Sequence, residues 1–334
     1  MEVFYDPSAN LNLAEFGVQI PLTDRRVEHV VKFLESKSIT YHNHVGCEIN
    51  ISEELIRLVH DDSHCNKLFG NENAKEKVLA ETFELYDDRG QANRYKKELA
   101  RYPLHHLADR VMRQANGTLV AAVKALSSGR SFFLGGGFHH AMSFGGRGFC
   151  LLNDIVIASQ YLRQNHQIAK IWVIDLDVHK GDGTAELAHK DRDLVTLSIH
   201  MASAWPLDSD EFDKNGKQNP WFIPSDIDIP IAENEEDQYL AKLKVGLEKL
   251  KSHGKPDFVF VVQGSDPYEK DQLESASLIK LTLEQMLARD LMVYQELEDL
   301  AVPHCHVMSG GYGVHAHEPF VEFFRALHGK SIWA

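Results

Sequence analysis

The sequence has four cysteines, Cys47, Cys65, Cys150 and Cys305, and no two of them form a C-x-x-C pair. That excludes the usual thiolate zinc knuckle, and the spacing does not suggest a disulfide framework. A reducing compartment is the simpler expectation. Basic residues are outnumbered, 35 against 49 acidic, for a net charge of −14. Non-specific phosphate binding needs clustered Lys and Arg, so nucleic acid is not an expected partner. The acidic excess suits cationic surroundings instead. No stretch approaches the ~20 apolar residues that span a bilayer. The opening residues MEVFYDP carry no basic region followed by an apolar one. The expectation is a soluble, cytoplasmic protein with no membrane partner. Internal repeats, low-complexity tracts and Pro/Ser-rich linkers are also missing. The reading is therefore one domain over residues 1–334, although length alone allows two.

What the chain does have is 43% hydrophobic residues, enough for a large core, and 19 histidines. Five short apolar runs stand out, at 131–134, 171–176, 194–199, 258–262 and 306–308. Each leads directly into Gly, Asp, His or Ser: GGGFHH, DVHKGDG, HMAS, QGSD and SGGYG. Helical spacing lies between them, at 154–163, 237–250 and 278–300, and residues 52–60 look like a helix capped by Ser52. Strands alternating with helices predict an α/β fold with a central, mainly parallel sheet flanked by helices. In such sheets, ligands sit beyond the carboxyl ends of the strands.

The polar clusters that follow the strands can carry chemistry. Asp175, Asp177 and His179 alternate, so on an extended segment they share one face. Three such groups on an apolar strand are costly to bury unpaired, and a metal ion would offset that cost. Oxygen and nitrogen ligands suit Zn²⁺ or Fe²⁺. For a lone D-x-H, a strand end capping nearby turns is the plainer account; the flanking KGDG and the other clusters weigh against it. His139 and His140 follow three glycines, and a neutral His is a natural general base. Its far ring nitrogen needs a carboxylate, for which Asp175 and Asp182 are available. Asp266 follows the strand FVFVV and is read as a third ligand. Two carboxylates, one imidazole and an open position describe a catalytic metal site. Tyr312, between glycines, could donate to a developing oxyanion. Alone, each of these has an ordinary structural explanation as a turn or a cap.

Together and in this order, the motifs resemble the histone deacetylase superfamily on the arginase–deacetylase fold. The strongest block spans 135–182, including RGFCLLNDIVIA and VIDLDVHKGDGT, and continues through TLSIH, QGSDPYEKDQL and SGGYG. GGGFHH with SGGY is most similar to the class IV branch and its bacterial relatives. The resemblance implies that Asp177, His179 and Asp266 hold one Zn²⁺. It implies that His139 pairs with Asp175, that His140 pairs with Asp182, and that Tyr312 is the catalytic tyrosine. Gly148, Phe149, Trp205 and Leu273 would line the acyl channel. Asp175, Asp177, His179, Ser198 and Ile199 would form a monovalent-cation site, with K⁺ as a structural ion. Lys270 and Glu274 replace residues that are commonly Gly, a departure that bears on the channel rim.

The implied activity is hydrolysis of an acyl-lysine amide in protein or peptide, with metal-activated water. His140 would be the acid/base and His139 mainly electrostatic. The acyl-chain preference, acetyl, lactyl or longer, stays open. An acetylpolyamine amidohydrolase is the alternative, with the same chemistry on an acetylated polyamine. A two-manganese ureohydrolase would need a further D-x-D, whereas Pro267 and Tyr268 follow Asp266. An inactive acyl-lysine-binding module would require loss of a site residue, and all are present.

Overall fold

The structure is a computed structural model that describes residues 1–43 and 49–329. Cys47 lies outside the described residues; Cys65, Cys150 and Cys305 are buried free thiols. Seven parallel strands form one sheet: β1 (Glu2–Phe4), β2 (Arg130–Phe133), β3 (Ile171–Asp175), β4 (Leu194–Met201), β5 (Ile227–Ile231), β6 (Phe258–Val262) and β7 (His304–Val307). Their spatial order is β1-β2-β7-β6-β3-β4-β5. All five apolar runs are strands. β1 and β5 were not legible. β1 has only three residues, and β5 reads I-D-I-P-I, an alternating edge strand whose Pro230 masks it.

The central strands are buried on both faces. In β6, Phe258, Phe260 and Val262 belong to one apolar cluster, while Val259 and Val261 belong to the opposite one. β3 divides likewise, Ile171 and Val173 against Trp172 and Ile174. This period of two, with both faces apolar, is why these runs read as continuous hydrophobic segments. Helices cover both faces. Leu107–Ser128 buries Val111, Ala115 and Leu119 in the first cluster. Tyr239–Lys251 and Leu283–Leu300 bury Leu243, Leu247, Met286 and Val293 in the second. Gly117 lets the first helix approach β2, since a Cβ there would lie 2.1 Å from the Phe133 ring.

Two helix expectations change at their ends. The segment expected to be helical over 278–300 starts at Leu283, because Thr282 and Gln285 form a reciprocal capping box. The 52–60 segment keeps Ser52 as its cap, accepting from the Leu55 N–H at 3.2 Å, but is helical only over Glu53–Arg57. Among the described residues, no helix is long and apolar enough to cross a membrane.

Candidate active site

Because every strand runs the same way, the segments after β2, β3, β4, β6 and β7 emerge on one side of the sheet. They deliver, in turn, the tandem histidines, the D-x-D-x-H run, Trp205, Asp266 and Tyr312. One sequence expectation is overturned here. The extended backbone ends at Asp175 and does not continue through His179. Asp175 Oδ1 accepts the Asp177 N–H at 3.1 Å, and Asp177 Oδ1 accepts the His179 N–H at 3.1 Å. These side-chain caps curl the chain into successive turns. Asp177 and His179 still meet, but through turn geometry and not strand alternation.

Possible ligand atoms of Asp177, His179 and Asp266 all lie within 4.8 Å of one another. His179 Nδ1 is 3.3 Å from Asp177 Oδ1 and 3.4 Å from Asp266 Oδ2. The remaining oxygens are engaged in ways that aim the set. Asp177 Oδ2 accepts from Ser309 Oγ and the Gly310 N–H, both at 2.9 Å, and Asp266 Oδ1 accepts the Val178 N–H at 3.0 Å. Asp266 Oδ2 is buried with no hydrogen-bond partner. An orphaned carboxylate oxygen beside an imidazole nitrogen and a second carboxylate is a donor set suited to a divalent metal. Gly310 makes room for it, since a Cβ there would stand 2.1 Å from Asp266 Oδ2.

The tandem histidines stand beside this set, and His139 Nε2 is 3.7 Å from Asp177 Oδ1. His139 Nδ1–H donates to Asp175 Oδ2 at 2.7 Å, and His140 Nδ1–H donates to Asp182 Oδ1 at 2.7 Å. The two rings have opposite protonation preferences. Burial opposes charge on His139, but Asp175 and Asp177 outweigh it and raise its pKa to about 10. Burial and the neighbouring His139 charge lower His140 to about 3, against the pull of Asp182. These surroundings favour the charged form of His139 and the neutral form of His140, whose Nδ1 faces Asp182 and whose Nε2 is left to accept a proton.

Tyr312 is 7% exposed, and burial followed by the Asp266 and Asp177 charges raises its pKa well above the usual phenol. It therefore remains a hydroxyl donor. Gly148, Phe149, Trp205 and Leu273 line one pocket together with His140, His179 and Tyr312. Trp205 packs edge-on against His140, with ring centroids 4.5 Å apart. Ser198 pairs in register with Asp175, and its Oγ is 3.0 Å from His200 Nδ1; Ile199 follows it, buried in β4. Lys270 is exposed and donates to Glu318 at 3.1 Å, while Glu274 opens a short 3-10 turn.

Several supporting residues are not marked out by residue type alone, although Arg147 and Asp154 lie within RGFCLLNDIVIA and Asp271 within QGSDPYEKDQL. Arg26 donates to the carbonyls of Gly310 and Gly311 at 2.9 and 3.1 Å, across more than 280 residues of chain. Asp271 accepts the Tyr312 N–H at 2.6 Å; burial and then the Asp266 charge raise its pKa to about 7. Arg147 donates to Asp182 Oδ2 at 2.9 Å. Asp154, inside the RGFCLLND motif, accepts from Thr118 Oγ at 2.5 Å and from the Gly137 and Phe138 N–H groups at 2.9 and 2.7 Å. It ties the glycine-rich loop to two helices. Asp154→Ala should leave those donors buried and unpaired and cost at least about 2 kcal/mol, measured by urea unfolding. An unchanged unfolding midpoint would show that the loop is held by other means.

A profile of the histone deacetylase domain matches residues 20–326. A protein of Picosynechococcus sp. is 33% identical over 213 residues, 64% of this chain and 66% of that protein. Histone deacetylase 2 of Arabidopsis thaliana is 24% identical over 312 residues, 93% of this chain and 74% of that protein. The matched region thus spans about two thirds to three quarters of these relatives. The solved structure of an acetylpolyamine aminohydrolase from Burkholderia pseudomallei superposes with a TM-score of 0.70 at 20% identity, covering 97% of this chain and 98% of that one. At that identity the likeness concerns the fold, which is the expected arginase–deacetylase architecture.

Proposed function

The chain belongs to the histone deacetylase family, and on that premise we propose that it is a zinc-dependent amidohydrolase that removes acyl groups from lysine side chains. Residues 1–334 act as one catalytic domain in this reading. The observation that carries it is the meeting, in one buried place, of an Asp–His–Asp donor set with an orphaned oxygen and two separately paired His–Asp couples.

Asp177, His179 and Asp266 would hold the metal. A zinc ion there supplies Lewis acidity toward a carbonyl oxygen and toward water. The other steps belong to the chain's own residues. The channel walls Phe149, Trp205 and Leu273 enclose the apolar acyl-lysine stem and exclude bulk water. His140, neutral and oriented by Asp182, takes a proton at Nε2 and returns it to the leaving amine nitrogen. His139, held as an imidazolium by Asp175, contributes fixed positive charge beside the reacting carbonyl. The Tyr312 hydroxyl donates to the oxygen that gains negative charge. In the same reading, Asp175, Asp177, His179, Ser198 and Ile199 would be the place for a structural potassium ion.

An acetylated polyamine is the second substrate class, favoured by Asp208 in the lining of the same pocket; Glu84 also lines it but is paired there with Arg94. An acidic group there suits a substrate carrying further amines. A panel of acylated lysine peptides, varied in chain length, run beside acetylpolyamines separates the classes by kcat/KM. Turnover of neither class by metal-loaded protein would overturn the hydrolase reading.

Metal stoichiometry is a separate expectation. The protein should take up one equivalent of zinc, and melting temperature should rise as zinc binds the folded state alone. Asp266→Asn should weaken uptake by about 10-fold or more, because a buried ligand charge is lost. Metal analysis showing two bound ions, or full uptake by the variant, would contradict the assignment.

A further inference from the structure

Arg147 lies at a junction that the proposed chemistry does not use. It precedes Gly148 in a tight turn, in which its N–H donates to the Cys150 carbonyl at 3.1 Å and its own carbonyl accepts from the Cys150 N–H at 2.9 Å. Its guanidinium touches three side chains in two separate parts of the fold. One edge donates to Asp182 Oδ2 at 2.9 Å. Its carbon lies 5.0 Å from the Trp205 ring centroid and 4.7 Å from that of Trp221. Both tryptophans belong to the long connection between β4 and β5, and Trp221 is anchored there by donating to Ser209 Oγ at 2.9 Å.

Asp182 is fully buried, so each of its oxygens needs a partner. Oδ1 accepts from His140 and from the Gly183 N–H at 3.0 Å. For Oδ2 the donor is Arg147. On the other side, Trp205 meets the edges of both His140 and His179, at centroid distances of 4.5 and 5.5 Å. A planar guanidinium can offer its faces to aromatic rings and its edge to a carboxylate at once; an ammonium cannot.

We propose that Arg147 is a positioning residue that couples the Trp205–Trp221 loop, and hence the aromatic wall of the channel, to the orientation of the His140–Asp182 pair. This rests on the hydrolase reading for its effect on turnover, though the clamp itself does not. Without Arg147, Asp182 Oδ2 loses its partner and the carboxylate is free to rotate away from the geometry that aims His140. Trp205 and Trp221 lose the cation between them, and the loop opens.

The test uses the zinc-loaded full chain and two substitutions. Arg147→Met keeps the side chain's length and removes charge and fork. Trp221→Ala removes one wall of the clamp without touching Asp182 or His140. Both should lower kcat on an acyl-lysine peptide, Arg147→Met by about 10- to 100-fold, as a small misplacement of a reacting group does. Zinc content should change little, while Arg147→Met should lower the melting temperature modestly because Asp182 Oδ2 is left buried without its donor. Arg147→Lys should recover part of kcat, and the double variant should be no worse than Arg147→Met alone. Trypsin cleavage after Lys214 and Lys217, both exposed in the loop, should accelerate about tenfold in each single variant, as local opening becomes easier.

Wild-type kcat in either folded single variant would overturn the coupling. Loop cleavage unchanged in both would overturn the clamp. If Arg147→Met fails to fold, Trp221→Ala carries the same two outcomes. If the wild-type protein turns over no acylated substrate, the hydrolase reading falls, while the cleavage rates still decide whether Arg147 holds the loop.

Discussion

His140→Ala is expected to reduce turnover by about 10²–10⁴-fold, the range supplied by a positioned acid/base group. Zinc content should remain at one equivalent, because His140 lies outside the Asp177–His179–Asp266 set. The reason for singling out this ring is its charge state. It is neutral, its Nδ1–H is committed to Asp182, and Nε2 is left to accept a proton. The Asp175 and Asp177 carboxylates favour the charged form of His139, which suits it less to accept a proton. His139→Ala should therefore be damaging but milder, through loss of a fixed charge. Steady-state kinetics with metal analysis on both variants checks the pair. A larger loss from His139→Ala would exchange the two roles, and loss of zinc from His140→Ala would move it into the ligand set.

Tyr312→Phe should lower kcat by about 10²–10³-fold and leave KM nearly unchanged, as for a donor used mainly in the transition state. The phenol is buried and stays protonated, so it can donate a hydrogen bond. Its backbone is held independently of its hydroxyl. The Tyr312 N–H donates to Asp271, its carbonyl accepts from the Gln272 N–H at 3.3 Å, and Arg26 grips the two residues before it. Removing one oxygen should leave that scaffold intact and the melting curve unchanged. Near wild-type kcat in a folded Tyr312→Phe protein would take Tyr312 out of the chemistry. A lowered melting temperature with modest kinetic loss would make it a packing residue.

The strand-end motifs were legible because each is a local event: an apolar run stops and ligand-type residues begin. β6 and its QGSD, or β3 and its DVHKGDG, need no knowledge of distant chain to be recognised. Two strands lack that contrast in the sequence, β1 for want of length and β5 because Pro230 interrupts its pattern. The turn geometry at 176–179 is not legible in the sequence for a related reason. Side-chain caps from Asp175 and Asp177 compete with the extended backbone, and spacing alone does not reveal which prevails.

By itself the sequence determined the residue types of the site, their order and the parallel architecture that collects them at one end. These follow from periodicity and from chemistry carried within short segments. The resemblance already implied the pairings and roles of His139 and His140; the tertiary structure alone supplied the contrast in their electrostatic surroundings. That contrast depends on which carboxylate meets which ring and on how deeply each is buried, both set by packing. The tertiary structure also decided the supports. Arg26 reaches Gly310 from more than 280 residues away, and Arg147 joins Asp182 to two tryptophans on another loop. A single arginine is an ordinary surface residue in sequence. Only burial beside a carboxylate or a carbonyl makes its charge and its fork consequential, because low-dielectric surroundings strengthen those bonds and penalise their absence.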